Sequence, residues 1–346
     1  MRVWAVTVAC YVSPDFHNIR WEIFRVDTRF NAMTFLLADE AEPMVAGLLG
    51  GISTSGGPTA EQMIVLESIA RHLLGRPDID LQNVTPLSAD ELAKRLKRHE
   101  ARLRFAEIMM TLELCRHPMS IEQVDLAEKY VAALRINGTE IETTRIAIVK
   151  GAEAAATDLE RCYKKILPEI SELSLRDRYL RLDEPDPALA ERLKRLRDLP
   201  EGTLGYQYLE FYRRNNIELP GDDTHLPAHY VNHDMNHVIT GYEPTAPGEI
   251  ARSGFLLAAN DSHHNWLEFL LTMSIHESGV LNHGNIRAKI ATLDRDGVPD
   301  FLGEGLQRGA QCAVDLSQVD HLSIAHLPLA QVRENFSVAP IGPAPA

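Results

Sequence analysis

The chain has few cysteines, and this scarcity excludes two classes of small protein. Among 346 residues there are four cysteines, at Cys10, Cys115, Cys162 and Cys312. They lie far apart and form no CxxC pair, so neither a disulfide framework nor a zinc finger is expected. This usage fits a reducing interior and predicts a cytoplasmic location.

Positive charge is also scarce relative to negative charge. The chain has 35 Lys and Arg residues against 49 Asp and Glu, which gives a formal net charge of −14. Because an acidic surface repels phosphate backbones, nucleic acid is not expected as a partner. The same charge opposes adhesion to anionic lipid, although a local basic patch could override it.

Long apolar runs and nucleotide-binding loops are missing as well. The most apolar N-terminal run, "VWAVTVACYV", is far shorter than the ~20 residues of a membrane-spanning helix, and its composition favours a buried strand. The Gly- and Ser-containing stretch "LADEAEPMVAGLLGGISTSGGPTAEQ" has no Lys-Ser or Lys-Thr in a phosphate-loop frame. We therefore expect a flexible loop there.

Helical periodicity dominates from about residue 59 onward, which predicts a mainly all-α protein with a small extended N-terminal segment. Pro185, Pro187 and Pro200 interrupt helices and indicate a connector. The predicted organisation is an extended or irregular segment 1–58, a helical domain 59–168, a connector 169–198, a second helical domain 199–338 and a disordered tail 339–346.

A capping-box pattern at Ser88 and Glu91 opens a predicted long helix. Its middle carries a basic cluster that could contact an anionic membrane or partner, but a solvated helix face is favoured. The cluster consists of Lys94, Arg95, Lys97, Arg98, Arg102 and Arg104.

The segment "NHDMNHVITGYEPTAPGEIARSG" concentrates imidazoles and carboxylates. On a helix, His233 and His237 are neighbours on one face, and Asp234 is next to His237 in the following turn. Gly241 can end that helix in a left-handed conformation. A helix–turn–helix hairpin could then return Glu249, in the first turn of the next helix, to the two histidines.

Such a group of side chains suits a divalent metal. With His233, His237 and Glu249 as ligands, a coordination position stays open, and Asp234 is either a fourth ligand or an acid/base outside the ligand set. Zinc is expected first, with iron, manganese or cobalt as alternatives. The competing interpretation is an incidental surface pair of histidines in an acidic chain, because motif matches carry false positives.

A second histidine-rich stretch, "DSHHNWLEFLLTMSIHESG", predicts a helix over 261–277 from its apolar spacing. His264 and Glu268 lie one turn apart on it. Either could point at the open coordination position as a catalytic proton donor or a substrate anchor. The alternative is that His264 belongs to an exposed helix start and Glu268 is a solvated charge.

Two family resemblances accompany these patterns. Residues 60–165, with "SIEQVDLAEKYVAALRI" after a long helix and a short turn, resemble the tellurite-resistance TerB-like domain, although "CRHPMS" replaces that family's acidic turn. Residues 196–338 resemble the ubiquinone (coenzyme Q) biosynthesis family called COQ-four. That resemblance rests on H-D-x-x-H, eleven residues and Glu, and on the flanking "LPEGTLGYQYLEFYRRNNI" and "LQRGAQCAVDLSQVDHLSIAHLPLAQVRENFSV".

The COQ-four resemblance implies a helical domain with a metal at His233, Asp234, His237 and Glu249. It further implies a hydrophobic polyprenyl-type substrate, oxidative decarboxylation or related lyase chemistry on an aromatic ring, and peripheral membrane contact. A specialised biosynthetic pathway, a biosynthetic complex and a homo-oligomer are open options. The alternatives are an isoprenoid- or lipid-binding or scaffold protein with a non-catalytic metal, and a metal-dependent hydrolase.

Overall fold

The computed structural model describes residues 39–136, 157, 161, 164–181, 185–221, 230–283 and 286–342. The expected N-terminal strands before residue 39 lie outside the described residues. Within them the chain is mainly helical, as predicted, and β structure is confined to isolated bridges. No helix among the described residues is long and apolar enough to cross a membrane.

The N-terminal helices form the first group of elements. They are α1 (Ala41–Ile52), α2 (Ala60–Ser68), α3 (Ala89–Arg95), α4 (His99–Leu114) and α5 (Ile121–Ala133). A π-helical turn, Ile69–Leu73, extends α2. The predicted capping box is confirmed at the start of α3, where the Ser88 side chain accepts from the backbone N–H of Glu91.

The C-terminal elements form the second group. They are α6 (Pro187–Lys194), α7 (Leu204–Asn215), α8 (Tyr230–Thr240), α9 (Ala246–Ala259), α10 (His263–His276), α11 (Val298–Gly309), α12 (His321–Ile324) and α13 (Leu329–Asn335). Of the connector prolines, Pro187 begins α6 instead of breaking a helix, because the first turn needs no N–H from that residue.

The prediction of an irregular segment over residues 1–58 is wrong for residues 41–52, which form helix α1. This helix is buried along almost its whole length, so it lacks the polar face that sequence periodicity relies on. Gly50 and Gly51 allow Tyr130 and Met109 to approach its backbone, because a Cβ at either position would collide with them. The glycines that suggested a loop are therefore packing positions.

The single long helix predicted after Ser88 is also wrong, because the helix is interrupted between Arg95, the last residue of α3, and His99, the first residue of α4. Leu96 turns inward into the core, and Arg98 adopts an extended backbone while its guanidinium binds the buried Glu40 at 2.8 Å. Arg102 donates to the Leu96 carbonyl at 2.8 Å. Arg98, Arg102 and the buried Arg104 thus belong to the packed structure and not to a solvated face.

One buried apolar cluster joins the two predicted domains. It contains side chains of α1–α5 together with others from α9, α10 and α11, including Ile250, Trp266, Phe269 and Leu302. The division into two domains at residues 169–198 stays a prediction, but this one buried cluster contains side chains from both sides of the connector. A second cluster, centred on α7, α8 and α9, packs behind the site described next.

In the predicted disordered tail, the carbonyl of Ala339 accepts from Arg308, and the N–H of Gly342 donates to Glu304. Residues 343–346 lie outside the described residues.

Candidate metal centre

The hairpin of α8 and α9 brings the two motif histidines to Glu249. Gly241 ends α8 with φ of +87°, as the sequence predicted. Thr245 then caps α9 by accepting from the backbone N–H of Gly248, which places Glu249 in the first turn. His233 Nε2 lies 3.4 Å from Glu249 Oε2, and His237 Nε2 lies 3.1 Å from Oε1.

The Nδ1 atoms of both histidines are engaged elsewhere, which fixes how the rings face Glu249. His237 Nδ1 lies 2.8 Å from the carbonyl oxygen of Tyr242, which can only accept, so Nδ1 carries the hydrogen. His233 Nδ1 lies 2.9 Å from Asp234 Oδ1 and donates to it. Each Nε2 therefore presents a lone pair to a carboxylate unless a proton or a metal cation lies between them.

The arrangement fits a metal in two further respects. Zinc bonds of about 2.0–2.1 Å in a tetrahedron separate neighbouring ligand atoms by ~3.3 Å, close to the two observed N···O distances. His237 Nε2 is fully buried, and its approach to Glu249 lacks the geometry of a hydrogen bond. One ligand atom from each of His233, Asp234 and His237 lies within 4.8 Å of the others, so Asp234 is also close enough to join the donor set, beside the Glu249 carboxylate that both Nε2 atoms approach.

Both carboxylate oxygens of Asp234 accept hydrogen bonds. Oδ1 accepts from His233, and Oδ2 accepts from the hydroxyl of Tyr212, which in turn accepts from Tyr208 at 3.2 Å. Burial and the charge of Asp234 raise the pKa values of Tyr212 and Tyr208 well above their ordinary range, so both remain donors. The contacts favour Asp234 as the group that orients His233, with Glu249 as the carboxylate ligand.

The charged groups of the site shift one another's pKa values. Burial and Arg252 act to lower the pKa of His233, but Glu249 and Asp234 outweigh them and raise it to about 9. Burial alone would raise the pKa of Glu249, yet His237 and His233 hold it well below its ordinary value. In the absence of a metal, the site is thus an imidazolium–carboxylate cluster.

Aromatic rings enclose the two histidines. Phe211 stacks on His237 with ring centroids 5.5 Å apart, and Tyr230 meets His233 edge to face at 5.8 Å. The His237 side chain is fully buried, whereas that of His233 is 25% exposed. Access from solvent therefore lies on the His233 side.

The structure separates the two residues proposed on α10. Glu268 is buried and binds Arg252 at 2.8 Å, and Arg252 lies 3.5 Å from Glu249. Glu268 therefore belongs to the surroundings of the site, and the solvated-charge interpretation is wrong for it. His264 instead contacts Ser317 at 3.0 Å and Glu169 at 3.2 Å, away from the four motif residues. Their catalytic roles stay predictions.

Sequence reasoning missed Arg252, Tyr212 and the position of His276. Arg252 follows Glu249 by three residues, so helical spacing already placed it on the same face of α9. His276 follows Glu268 by eight residues, about two helical turns, on α10. No sequence signal pointed to Tyr212, because its contact with Asp234 joins α7 to α8.

One cleft among the described residues is separate from this centre. It has a volume of about 590 Å³ and lies between α2 and α11, lined by acidic side chains such as Glu61, Asp296 and Asp300.

Known protein families offer no independent guide to the centre. A scan against family models finds no match for this chain, and a search of curated proteins finds no significant match.

Proposed function

We propose that this protein is a metal-dependent enzyme whose His233, His237 and Glu249 hold one divalent ion. The observation that carries the proposal is the convergence of two imidazole Nε2 atoms on one buried carboxylate, with both Nδ1 atoms bound to acceptors. Three protein ligands with an open position are typical of catalytic sites, whereas structural zinc sites usually have four. Zinc is the first choice, with iron, manganese and cobalt as alternatives.

The role proposed for each side chain follows from its contacts. A bound divalent ion would supply a Lewis acid that polarises a substrate oxygen. Tyr212 holds Asp234, and Asp234 holds the ring of His233, so the imidazole keeps its direction toward the centre. Phe211 covers the ring of the fully buried His237 and keeps water from it, which strengthens the electrostatic interactions there, while Tyr230 packs edge to face against His233.

The reaction class is proposed from the COQ-four resemblance of residues 196–338. It is oxidative decarboxylation, or related lyase chemistry, on an aromatic or polyprenyl-type small molecule in a biosynthetic pathway. A cytoplasmic location with peripheral membrane contact is part of the same proposal. A buried, preoriented site supports an enzyme over a scaffold with an incidental metal, because an incidental surface pair would not be enclosed in this way.

Metal analysis tests the proposal directly. Protein purified with zinc present should contain about one ion per chain by inductively coupled plasma mass spectrometry. The variants His233→Ala and His237→Ala should lose it, because each removes a ligand atom. His326→Ala, at an exposed histidine, is the matched control and should retain the ion. Full occupancy in both site variants would refute the proposal.

A further inference from the structure

The C-terminal end of α8 lies inside the protein, so its backbone carbonyls need donors from other elements. The last four carbonyls of an α-helix have no N–H partner within the helix. In α8 the N–H of Gly241 donates to the carbonyl of His237 at 2.7 Å. The next three carbonyls belong to the buried residues Val238, Ile239 and Thr240, and buried carbonyls in proteins are nearly always paired.

Two arginines from distant elements donate to all three of these carbonyls. Arg333 of α13 donates from Nε to Ile239 and from Nη2 to Val238, each at 2.9 Å. Arg308 of α11 donates from Nη2 to the carbonyl of Thr240 at 2.7 Å. Burial and the nearby charge of Arg308 lower the pKa of Arg333, because two buried cations repel each other. The bonds to the carbonyls and the dipole at the C-terminal end of α8 offset that repulsion.

The turn that the two arginines hold also carries the metal ligand His237. Nδ1 of His237 donates to the carbonyl of Tyr242, just beyond the end of the helix. The guanidinium of Arg308 lies over the Tyr242 ring, 4.9 Å from its centroid. Arg308 is itself held by the carbonyl of Ala339, which accepts from Nη2 at 2.7 Å and from Nε at 3.1 Å. Residues 237–242, which set the direction of the imidazole, are therefore fixed along their length by these two side chains.

We propose that Arg308 and Arg333 are positioning residues that hold His237 Nε2 in the direction a metal ion requires. Without them, three buried carbonyls lose their donors, which is costly, and the last turn of α8 shifts to find others. A metal site depends on ligand positions held to within about 0.5 Å, so such a shift weakens binding. This inference rests on the proposed metal site and adds to it two residues from outside the motif.

Charge and positioning predict opposite effects on zinc affinity, so the two can be separated. A guanidinium group repels a divalent cation, and its removal would raise zinc affinity if charge alone mattered. Loss of positioning lowers the affinity, typically by about 10–100-fold when the groups that orient a metal ligand are removed. Lysine keeps the charge but lacks the planar fork that reaches two carbonyls, so Arg333→Lys isolates the geometric effect.

The test measures zinc affinity of the full-length chain by competition with a chelator. Arg308→Met and Arg333→Met should each lower the affinity by about tenfold or more, although each removes a positive charge. Arg333→Lys should show a smaller loss, because an ammonium group can still donate to one of the two carbonyls. The visible absorption spectrum of the cobalt-loaded protein should change in all three variants, since it reports the geometry of the ligands. Circular dichroism checks that each variant is folded.

Arg102→Met is the matched control. Arg102 also donates to three carbonyls at helix ends, those of Leu96 at 2.8 Å, Leu134 at 3.1 Å and Ala93 at 3.3 Å, but these end α3 and α5. This variant should lose stability in urea unfolding and keep the zinc affinity and the cobalt spectrum of the wild type.

Three outcomes would overturn the inference while the metal site stands. They are zinc affinity that is unchanged or raised in both folded methionine variants, cobalt spectra identical to that of the wild type, and an equal loss of affinity in Arg102→Met. The last would mean that zinc affinity follows general stability. Absence of zinc from the wild type would refute the proposed function and this inference with it.

Discussion

At the scale of single residues, the decisive contacts are those that orient the ligands. The spacing of the motif leaves open whether Asp234 binds the metal, but the structure gives it a hydrogen bond on each oxygen. Carboxylate–histidine pairs of this kind set the tautomer and raise the basicity of a metal ligand. The chain Tyr208–Tyr212–Asp234–His233 is therefore a support for the metal centre.

Removing the Tyr212 hydroxyl should weaken the metal site without destroying it. In Tyr212→Phe, Asp234 loses its second donor and holds His233 less firmly, so zinc affinity should fall by about 10–100-fold. Competition with a chromogenic chelator measures this change. Tyr206→Phe, at a partly exposed tyrosine of the same helix, should leave the affinity unchanged. Equal affinities in the two variants would show that the tyrosine chain has no supporting role.

Zinc affinity should depend on pH through His233. The pKa of this residue is about 9 in the metal-free protein, so below pH 9 a proton competes with the metal for Nε2. Affinity should rise about tenfold per pH unit between pH 7 and 9 and level off above that. The measurement is the same chelator competition, corrected for protonation of the chelator; a flat profile would contradict the prediction.

The same residue links pH to the stability of the metal-free protein. Its folded-state pKa is raised above the ordinary value of 6.5, so the ion pair with Glu249 and Asp234 stabilises the fold fully below about pH 6.5. That contribution is lost as pH rises through 9. His233→Gln, which does not titrate, should lack this loss in urea unfolding followed at several pH values.

At the scale of elements, the close contact between α9 and α11 positions Glu249 and Arg252. A Cβ added at Gly305 would lie 2.3 Å from the carbonyl oxygen of Ala251, and one at Gly309 would lie 2.1 Å from that of Phe255. Both obstacles are backbone atoms that cannot rotate away. The two glycines therefore let α11 lie directly against the helix that carries Glu249.

Gly309→Ala should separate these helices. The added methyl group forces a backbone shift, which costs about 1–3 kcal/mol in overpacked cores. Urea unfolding followed by circular dichroism measures the loss in free energy of unfolding. Gly202→Ala is the control, since a Cβ at Gly202 meets nothing within 4 Å. A loss no larger than that of the control would mean that α11 accommodates the methyl group.

At the scale of the whole molecule, a buried polar network fastens α4 to α10. Arg104 binds Glu107 within α4 and Asp261 just before α10. The indole N–H of Trp266 donates to Asp261 at 2.6 Å, and His263 contacts Glu107 at 3.1 Å. Together with the shared apolar cluster, this network couples the N-terminal helices to the helices around the metal centre.

The full chain should consequently unfold in one main transition. Differential scanning calorimetry of the wild type should show a single peak whose calorimetric and van't Hoff enthalpies agree. Arg104→Met should lower the midpoint by leaving Asp261 and Glu107 without their partner, because an unpaired buried charge is strongly destabilising. Arg71→Met removes an exposed ion pair with Glu67 and should change the midpoint little. Two separated peaks would support the independent domains that the connector suggested.

The sequence by itself determined the helical class, the α8–α9 hairpin and the group of His233, His237 and Glu249. These features depend on local rules: helical spacing, a glycine that ends one helix and a proline at the start of the next. Local patterns failed at α1, because a helix buried on all sides has no polar face to reveal its period. They also failed at the break before α4, which depends on the distant Glu40.

Only the tertiary structure decided what surrounds those ligands. Tyr212 reaches Asp234 across 22 positions of the chain, and Glu268 reaches Arg252 across 16. The tertiary structure also placed Glu268 near the centre and His264 away from it, although both lie on one helix. Helical spacing states which residues share a face, but the register between packed helices determines what that face meets, and register depends on the whole core.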